Sequence, residues 1–140
     1  MKNQELDIKK LSKGNSKNIK IGELNQTVID ALGLDLKPQS INIWSTRIQE
    51  HCEKHKEEYS SPNSYNQAVK LIPKILEEPD YIGLHKNGNL QYVKRLDDIS
   101  LIGIQIVRGG GLLFRTIYPI SEIKLKNSLK SGKLIPYNKN

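Results

Sequence analysis

Hydrophobic positions in this chain change their period near residue 80. Before that point they recur at helical spacing. Leu24, Val28, Ala31 and Leu32 predict a short helix over residues 22–32, with Gly33 as its stop. Trp44, Ile48, Cys52, His55 and Tyr59 fall at offsets of four, four, three and four, which is one stripe of a second helix. Thr46 with Gln49 three residues on has the form of a capping box. Glu50, Glu53, Lys54 and Glu57 occupy the opposite, solvated side. Ala68, Val69, Ile72, Ile75 and Leu76 mark a third helical stretch. Pro73 must kink it or begin a separate turn, because proline lacks the amide hydrogen and crowds the preceding turn. Ile41 and Ile43 alternate with polar residues, as a short extra strand would.

After Asp80 the period is two. Strands are predicted over residues 81–85, 90–96, 100–108 and 112–120, joined by turns at Asn87-Gly88, Asp97-Asp98 and Gly109-Gly110-Gly111. Turns this short predict an antiparallel meander and not crossovers. A terminal helix over residues 121–129 and an extended piece over 133–137 complete the pattern. The fold class is therefore α+β, with N-terminal helices followed by a four-stranded antiparallel meander. Residues 1–18, rich in Lys, Asn and Ser, read as a flexible basic tail, and residues 19–140 as a single domain.

Two-residue turns fix register, and register fixes faces. Pairing about Asn87-Gly88 sets Gly83 opposite Tyr92, and pairing about Asp97-Asp98 sets Lys94 opposite Leu101. A three-residue glycine loop sets Gln105 opposite Arg115. One face then holds Ile82, Leu84, Val93, Ile102, Ile104, Ile106, Phe114, Thr116 and Tyr118, and should cover the helices. The other holds Tyr81, His85, Tyr92, Lys94, Gln105 and Arg115, a polar, aromatic and cationic surface. A bulge at the glycines would shift the last strand by one, exchanging Arg115 for Thr116 and Tyr118.

Charge reinforces this division. The net charge of +7 is spread unevenly: residues 1–20 carry +4, residues 21–80 carry −4, and residues 81–140 carry +7. A positive field on the sheet half attracts polyanions through counterion release, without reading their sequence. No apolar run is long enough for a membrane span, and the N-terminus lacks the apolar core of a signal peptide. The single cysteine, Cys52, forms no internal disulfide. The expected compartment is the cytoplasm, with no membrane partner.

His51 and His55 lie four apart, on neighbouring turns of one helix side. Three readings stand: an acid–base pair, since imidazole titrates near neutrality; a metal site with Cys52; or hydrogen-bonded histidines at the edge of the apolar stripe. The string His-Cys-Glu-Lys-His lacks the glutamate that follows the first histidine in the metalloprotease motif. Of Lys94 and Arg95, one must point to the polar face. Arg115 offers a planar fork suited to phosphate oxygens. Equally, these are cations on a solvated surface. The glycine triplet is a turn and no phosphate loop, since no Lys-Ser/Thr and no helix follow it.

Several motifs then fall in order: Ile21-Gly22-Glu23-Leu24-Asn25, His51-x-x-x-His55, Ile72-Pro73-x-Ile75-Leu76-x-x-Pro79-Asp80-Tyr81-Ile82, Tyr92-Val93-Lys94-Arg95-Leu96, Leu113-Phe114-Arg115-Thr116-x-Tyr118 and Leu134-Ile135-Pro136-Tyr137. Across residues 19–137 the chain resembles phage-associated members of the barnase–EndoU–colicin–RelE-like nuclease superfamily. Such domains occur in phages and mobile elements, fused into larger proteins or acting as small toxins. The resemblance implies an α+β fold and RNA cleavage without metal or other cofactor. It implies His51 and His55 as acid and base, Lys94 and Arg115 on the phosphate, and Thr116 and Tyr118 as positioning groups. Tyr92, Gln105 and Arg95 are the candidate substrate contacts. RNA, such as tRNA or another structured RNA, is the implied partner, with an antitoxin or immunity protein beside it in a toxin setting. An inactive nucleic-acid- or partner-binding domain of the same fold is the alternative. If helices cover the apolar face, the histidines can meet the cationic strand only around a sheet edge or end.

Overall fold

The computed structural model describes residues 5–11 and 13–138. Its helices start and stop where local chemistry directs. Asn25 accepts from the Val28 amide to open α2 (Gln26–Leu32), and Gly33 closes it with a left-handed backbone. Ser61 caps α4 (Pro62–Lys70), whose first turn accommodates Pro62. The chain breaks at Leu71, and α5 (Ile72–Glu77) restarts with Pro73 in its first turn. Ser121 caps α6 (Glu122–Ser131). The histidine helix is shorter than its apolar stripe predicts. α3 spans Ile48–Glu53, and a 3-10 turn at Lys56–Glu58 follows. Its N-cap is Arg47, whose side chain does not cap the helix amides, while Thr46 instead meets Ser16 at 3.2 Å.

The sheet is larger than a meander. The strands are β1 (Asn18–Leu24), β2 (Gln39–Trp44), β3 (Tyr81–Leu84), β4 (Leu90–Arg95), β5 (Ile99–Ile106), β6 (Leu112–Pro119) and β7 (Leu134–Pro136). Their order is β1-β2-β6-β5-β4-β3-β7. Every neighbouring pair is antiparallel except β2 and β6, which run parallel. The fold is α+β, with the four-stranded meander at the centre of a mixed seven-stranded sheet. The residues expected to start the first helix belong to β1, an added edge strand. In the N-terminal stretch expected to lack structure, residues 1–4 and 12 lie outside the described residues. Ile8–Leu11 forms one turn of helix, α1, and the Leu6 amide donates to the Lys70 carbonyl at 2.9 Å. Leu6, Ile8 and Leu11 pack against the main core.

The turns correct the face assignment. Only glycines among the described residues have positive φ, so Asn87 does not take the left-handed backbone that a two-residue Asn-Gly turn requires. His85 pairs with Asn89 instead, and Gly88 at φ 94° closes a three-residue loop. Ile82 therefore faces Tyr92, one residue from the expected register. Leu96–Asp98 is likewise a three-residue loop, with Arg95 opposite Ile99 and Lys94 opposite Ser100. A slip of one residue moves a side chain to the other face. Tyr92 accordingly lies in the core at 1% exposure, together with Ile82, Ile102 and Phe114. Val93 moves to the second face, where Tyr81, Val93, Leu101 and Tyr118 align across the four strands. That face is half apolar, because α6 covers it with Leu125 and Leu129.

A bulge does occur in the last strand, though not at the glycines. Ile104 pairs with Phe114 and Gly103 with Thr116, which leaves Arg115 as the extra residue. Arg115 keeps the side that alternation from Leu113 gives it, and the bulge returns Thr116 and Tyr118 to that same side.

β3 carries one further constraint. A Cβ on Gly83 would lie 2.2 Å from the Lys133 carbonyl oxygen and 2.8 Å from Leu134 Cδ2. The segment leading into β7 thus packs directly on the Gly83 backbone. Gly83→Ala is expected to cost about 1–3 kcal/mol by overpacking, and to loosen β7 first. Chemical denaturation measures the cost, and faster amide exchange at Leu134 and Ile135 than elsewhere locates it.

Candidate active site at the β6 edge

β2 pairs with β6 at Asn42 and Leu113 and ends at Trp44. The edge of β6 from Arg115 onward therefore has no strand beside it among the described residues. α3 follows β2 and occupies that edge, running in the same sense as β6. Ile48 and Cys52 are its buried side, both 0% exposed in the main core. Cys52 is a buried thiol that desolvation pushes up to about 12, so it behaves as a packing residue.

Both ends of this segment are pinned. Ser45, 1% exposed, accepts from the Lys17 amide at 2.8 Å, and its own amide donates to the Lys17 carbonyl at 2.8 Å. At the other end, Ser60 donates to Asp98 through its amide (2.8 Å) and its hydroxyl (2.9 Å). Tyr59 meets Ser100 at 3.0 Å in the core. The β4–β5 turn thus anchors the chain just beyond the histidines.

His51 and His55 reach β6 from this edge. The His51 ring is held below the ordinary histidine value, first by burial and next by the positive field of Arg115, with Arg47 and Lys54 acting in the same direction and Glu50 against them. The His55 ring lies 5.1 Å from the Tyr118 ring at 52°. Its Nδ1 pairs with the Glu58 carboxylate. Tyr118 is half-buried, and its hydroxyl is raised by burial and by the nearby Glu58 charge, so it stays protonated at neutral pH. Lys124 of α6 stands 5.7 Å over the same ring. Thr116 Oγ1 is buried without a hydrogen-bond partner. Arg115 is exposed, with no ion pair or hydrogen bond among the described residues.

The structure therefore assembles His51, His55, Arg115, Thr116 and Tyr118, and leaves other sequence-derived candidates elsewhere. Lys94 lies on the core-side face beside β3. It donates to the Glu78 carbonyl at 2.7 Å, sits 3.8 Å from Asp80 and is largely buried. Arg95 is engaged by α6, with bonds of 2.6 and 3.3 Å to Glu122 and 3.3 Å to the Tyr81 hydroxyl. Tyr92 is enclosed in the core with its hydroxyl unpartnered. Gln105, opposite Leu113, does share a face with Thr116 and Tyr118. Glu58 was missed as a partner of His55, although its spacing of three residues is a legible signal. Lys124 had no such signal, because its approach to Tyr118 depends on how α6 folds back. Among the described residues no group of three His, Cys, Asp or Glu side chains is placed to hold a metal ion.

The His51 environment predicts a measurable titration. An NMR midpoint below 6.5 is expected, and Arg115→Ala should raise it while burial keeps part of the shift. The unfolded chain binds more protons than the fold below pH 6.5. The contribution of His51 to stability is therefore complete above 6.5 and is lost as pH falls toward its folded value.

A histidine on α3, His51, and a second just past the helix end, His55, laid against an arginine- and tyrosine-bearing strand within a mixed α+β sheet, have the residue types of an acid–base phosphodiesterase site. The profile of the phage-Barnase-EndoU-ColicinE5/D-RelE like nuclease 3 family matches residues 19–127, and the chain belongs to that family. The matched span runs from β1 through most of α6 and includes the whole histidine–β6 constellation. No curated protein and no solved structure matches the chain significantly.

Proposed function

We propose that this domain is an endoribonuclease that works without a metal ion. The observation that carries the reading is the meeting of His51 and His55 with Arg115 and Tyr118 along the β6 edge that α3 lines. His51, kept neutral by burial and by Arg115, takes the proton of the ribose 2′-hydroxyl. The 2′-oxygen forms a bond to the adjacent phosphorus, and the bond from phosphorus to the 5′-oxygen breaks. His55, oriented through Nδ1 by Glu58, gives its proton to that leaving oxygen. Arg115 and the Tyr118 hydroxyl hold the charge that develops on the phosphate. Membership of a phage-associated nuclease family supports a phage or mobile-element setting, in which the enzyme acts as an effector or toxin.

The test is incubation with tRNA and unstructured RNA in EDTA. Fragments with 2′,3′-cyclic phosphate ends are expected. Cleavage should disappear in His51→Ala and Arg115→Ala and persist in Lys94→Gln, since Lys94 is bound to Glu78 and lies on the other side of the sheet. Cleavage that needs added metal, or that survives loss of both His51 and Arg115, would remove this reading. RNA binding without any product would make the domain a binding module.

A further inference from the structure

β2 and β6 together leave part of the second sheet face open. Ile41 and Ile43 point to the core, both at most 1% exposed, so Ser40, Asn42 and Trp44 occupy the other side of β2. The parallel pairing of Asn42 with Leu113 brings the end of β2, at Trp44, toward the β6 segment that carries Arg115. Trp44 is the chain's one tryptophan and is 44% exposed, a large aromatic surface left in solvent. Neither Trp44 nor Leu113 belongs to either apolar cluster. Lys20 and Asn18 of β1 lie opposite Asn42 and Trp44. Gln105 and Thr116 continue the same polar surface across β6 and β5. Two polar atoms on it are buried and unpartnered, Asn42 Oδ1 and Thr116 Oγ1. Buried polar atoms without partners are uncommon in folded proteins.

We infer that Trp44 is a stacking platform for an unpaired base, and that the enzyme's substrate class is single-stranded RNA laid over this open face. The inference rests on the ribonuclease reading for its chemistry, but not for its recognition. An exposed aromatic at the end of one strand and an unpaired arginine on the neighbouring strand suit a nucleotide: the ring takes the base, and the guanidinium takes the adjoining phosphate. A base within a duplex is stacked on its neighbours and cannot use the ring. The site therefore selects loops, ends and unstructured segments. Gln105, half-buried on this face, supplies a hydrogen-bonding group beside the stacked base, whereas Lys94 and Tyr92 contribute nothing to this face.

Because Trp44 is the only tryptophan, its fluorescence reports directly on the site. The probe is a 2′-O-methyl RNA octamer, which has no 2′-hydroxyl to attack and so stays intact. Saturable quenching by the single strand is expected in the wild type, and little quenching by a blunt duplex of the same sequence. Trp44→Ala should weaken single-strand binding about 10- to 100-fold, read by anisotropy of a labelled octamer, with most of the affinity restored in Trp44→Phe. Equal quenching by duplex and single strand, or unchanged affinity in Trp44→Ala, would overturn the inference. If RNA is cleaved but Trp44 is not quenched, the platform fails and the ribonuclease stands. If Trp44 is quenched and no RNA is cut, the platform stands and the ribonuclease fails.

Discussion

His51→Ala is expected to lower the rate of RNA cleavage by about 10²–10⁴-fold, the usual contribution of a positioned general base. Arg115→Ala is expected to lower it by about 10²–10³-fold, as when one charge-stabilising donor is removed from the reacting centre. The two losses should not multiply in the double variant, because Arg115 also sets the protonation of the base. Single-turnover cleavage in EDTA measures all three variants. The pH dependence adds a second readout. Arg115→Ala should move the acid limb of the cleavage profile upward, toward the ordinary histidine value. A lost rate with an unmoved acid limb would mean that Arg115 acts on the phosphate alone.

The largest effect on stability is expected at Phe114, immediately before the bulge. It is 1% exposed, pairs with Ile104, and lies in the main core with Ile102 and the side chains of α5. Phe114→Ala removes a fully buried ring from a close-packed site and should cost about 3–5 kcal/mol. Small domains are stable by only about 5–15 kcal/mol, so the variant should unfold at a far lower denaturant midpoint. A loss below about 1 kcal/mol would mean that the core collapses around the gap. Leu113→Ala, on the open side of the same strand, provides the contrast and should cost much less.

Much of the architecture was legible because a strand's burial period and a turn's residues are local properties. The four meander strands, the helix ending at Gly33, the break at Pro73 and the short extended piece at Leu134–Pro136 all follow from neighbours within a few residues. Register was not local in the same way. Asn87-Gly88 favours a two-residue turn, yet burying Tyr92 in the main core, on the side of β4 that α5 packs against, calls for the three-residue one. The apolar requirement of the core decided the outcome. β1 was hidden for a related reason. Residues 22–24 fit the start of a helix that runs to Leu32, and only pairing with β2 reveals them as the end of an edge strand.

The candidate site divides along the same line. His51, His55, Arg115, Thr116 and Tyr118 were identifiable by residue type, and their proximity follows from the parallel β2–β6 pairing, which no short-range pattern announces. Lys94, Arg95 and Tyr92 were assigned on a register that slipped by one. Lys94 is held by the Glu78 backbone carbonyl and by Asp80, and the charge of Arg95 is taken up by Glu122. Two cations next to each other in a strand thus serve opposite sides of the sheet as structural ties.

The two outer strands have a consequence for how copies of this domain behave together. β7 is three residues long and ends in Pro136, which cannot donate a ladder hydrogen bond. β1 breaks its pairing between Lys20 and Gly22, and Lys20 lies exposed at that break. A short edge, an edge proline, a bulge and an outward lysine are each poor templates for a strand from another molecule. The sheet is therefore finished at both sides, and crowding the protein should not lead to edge-to-edge fibres.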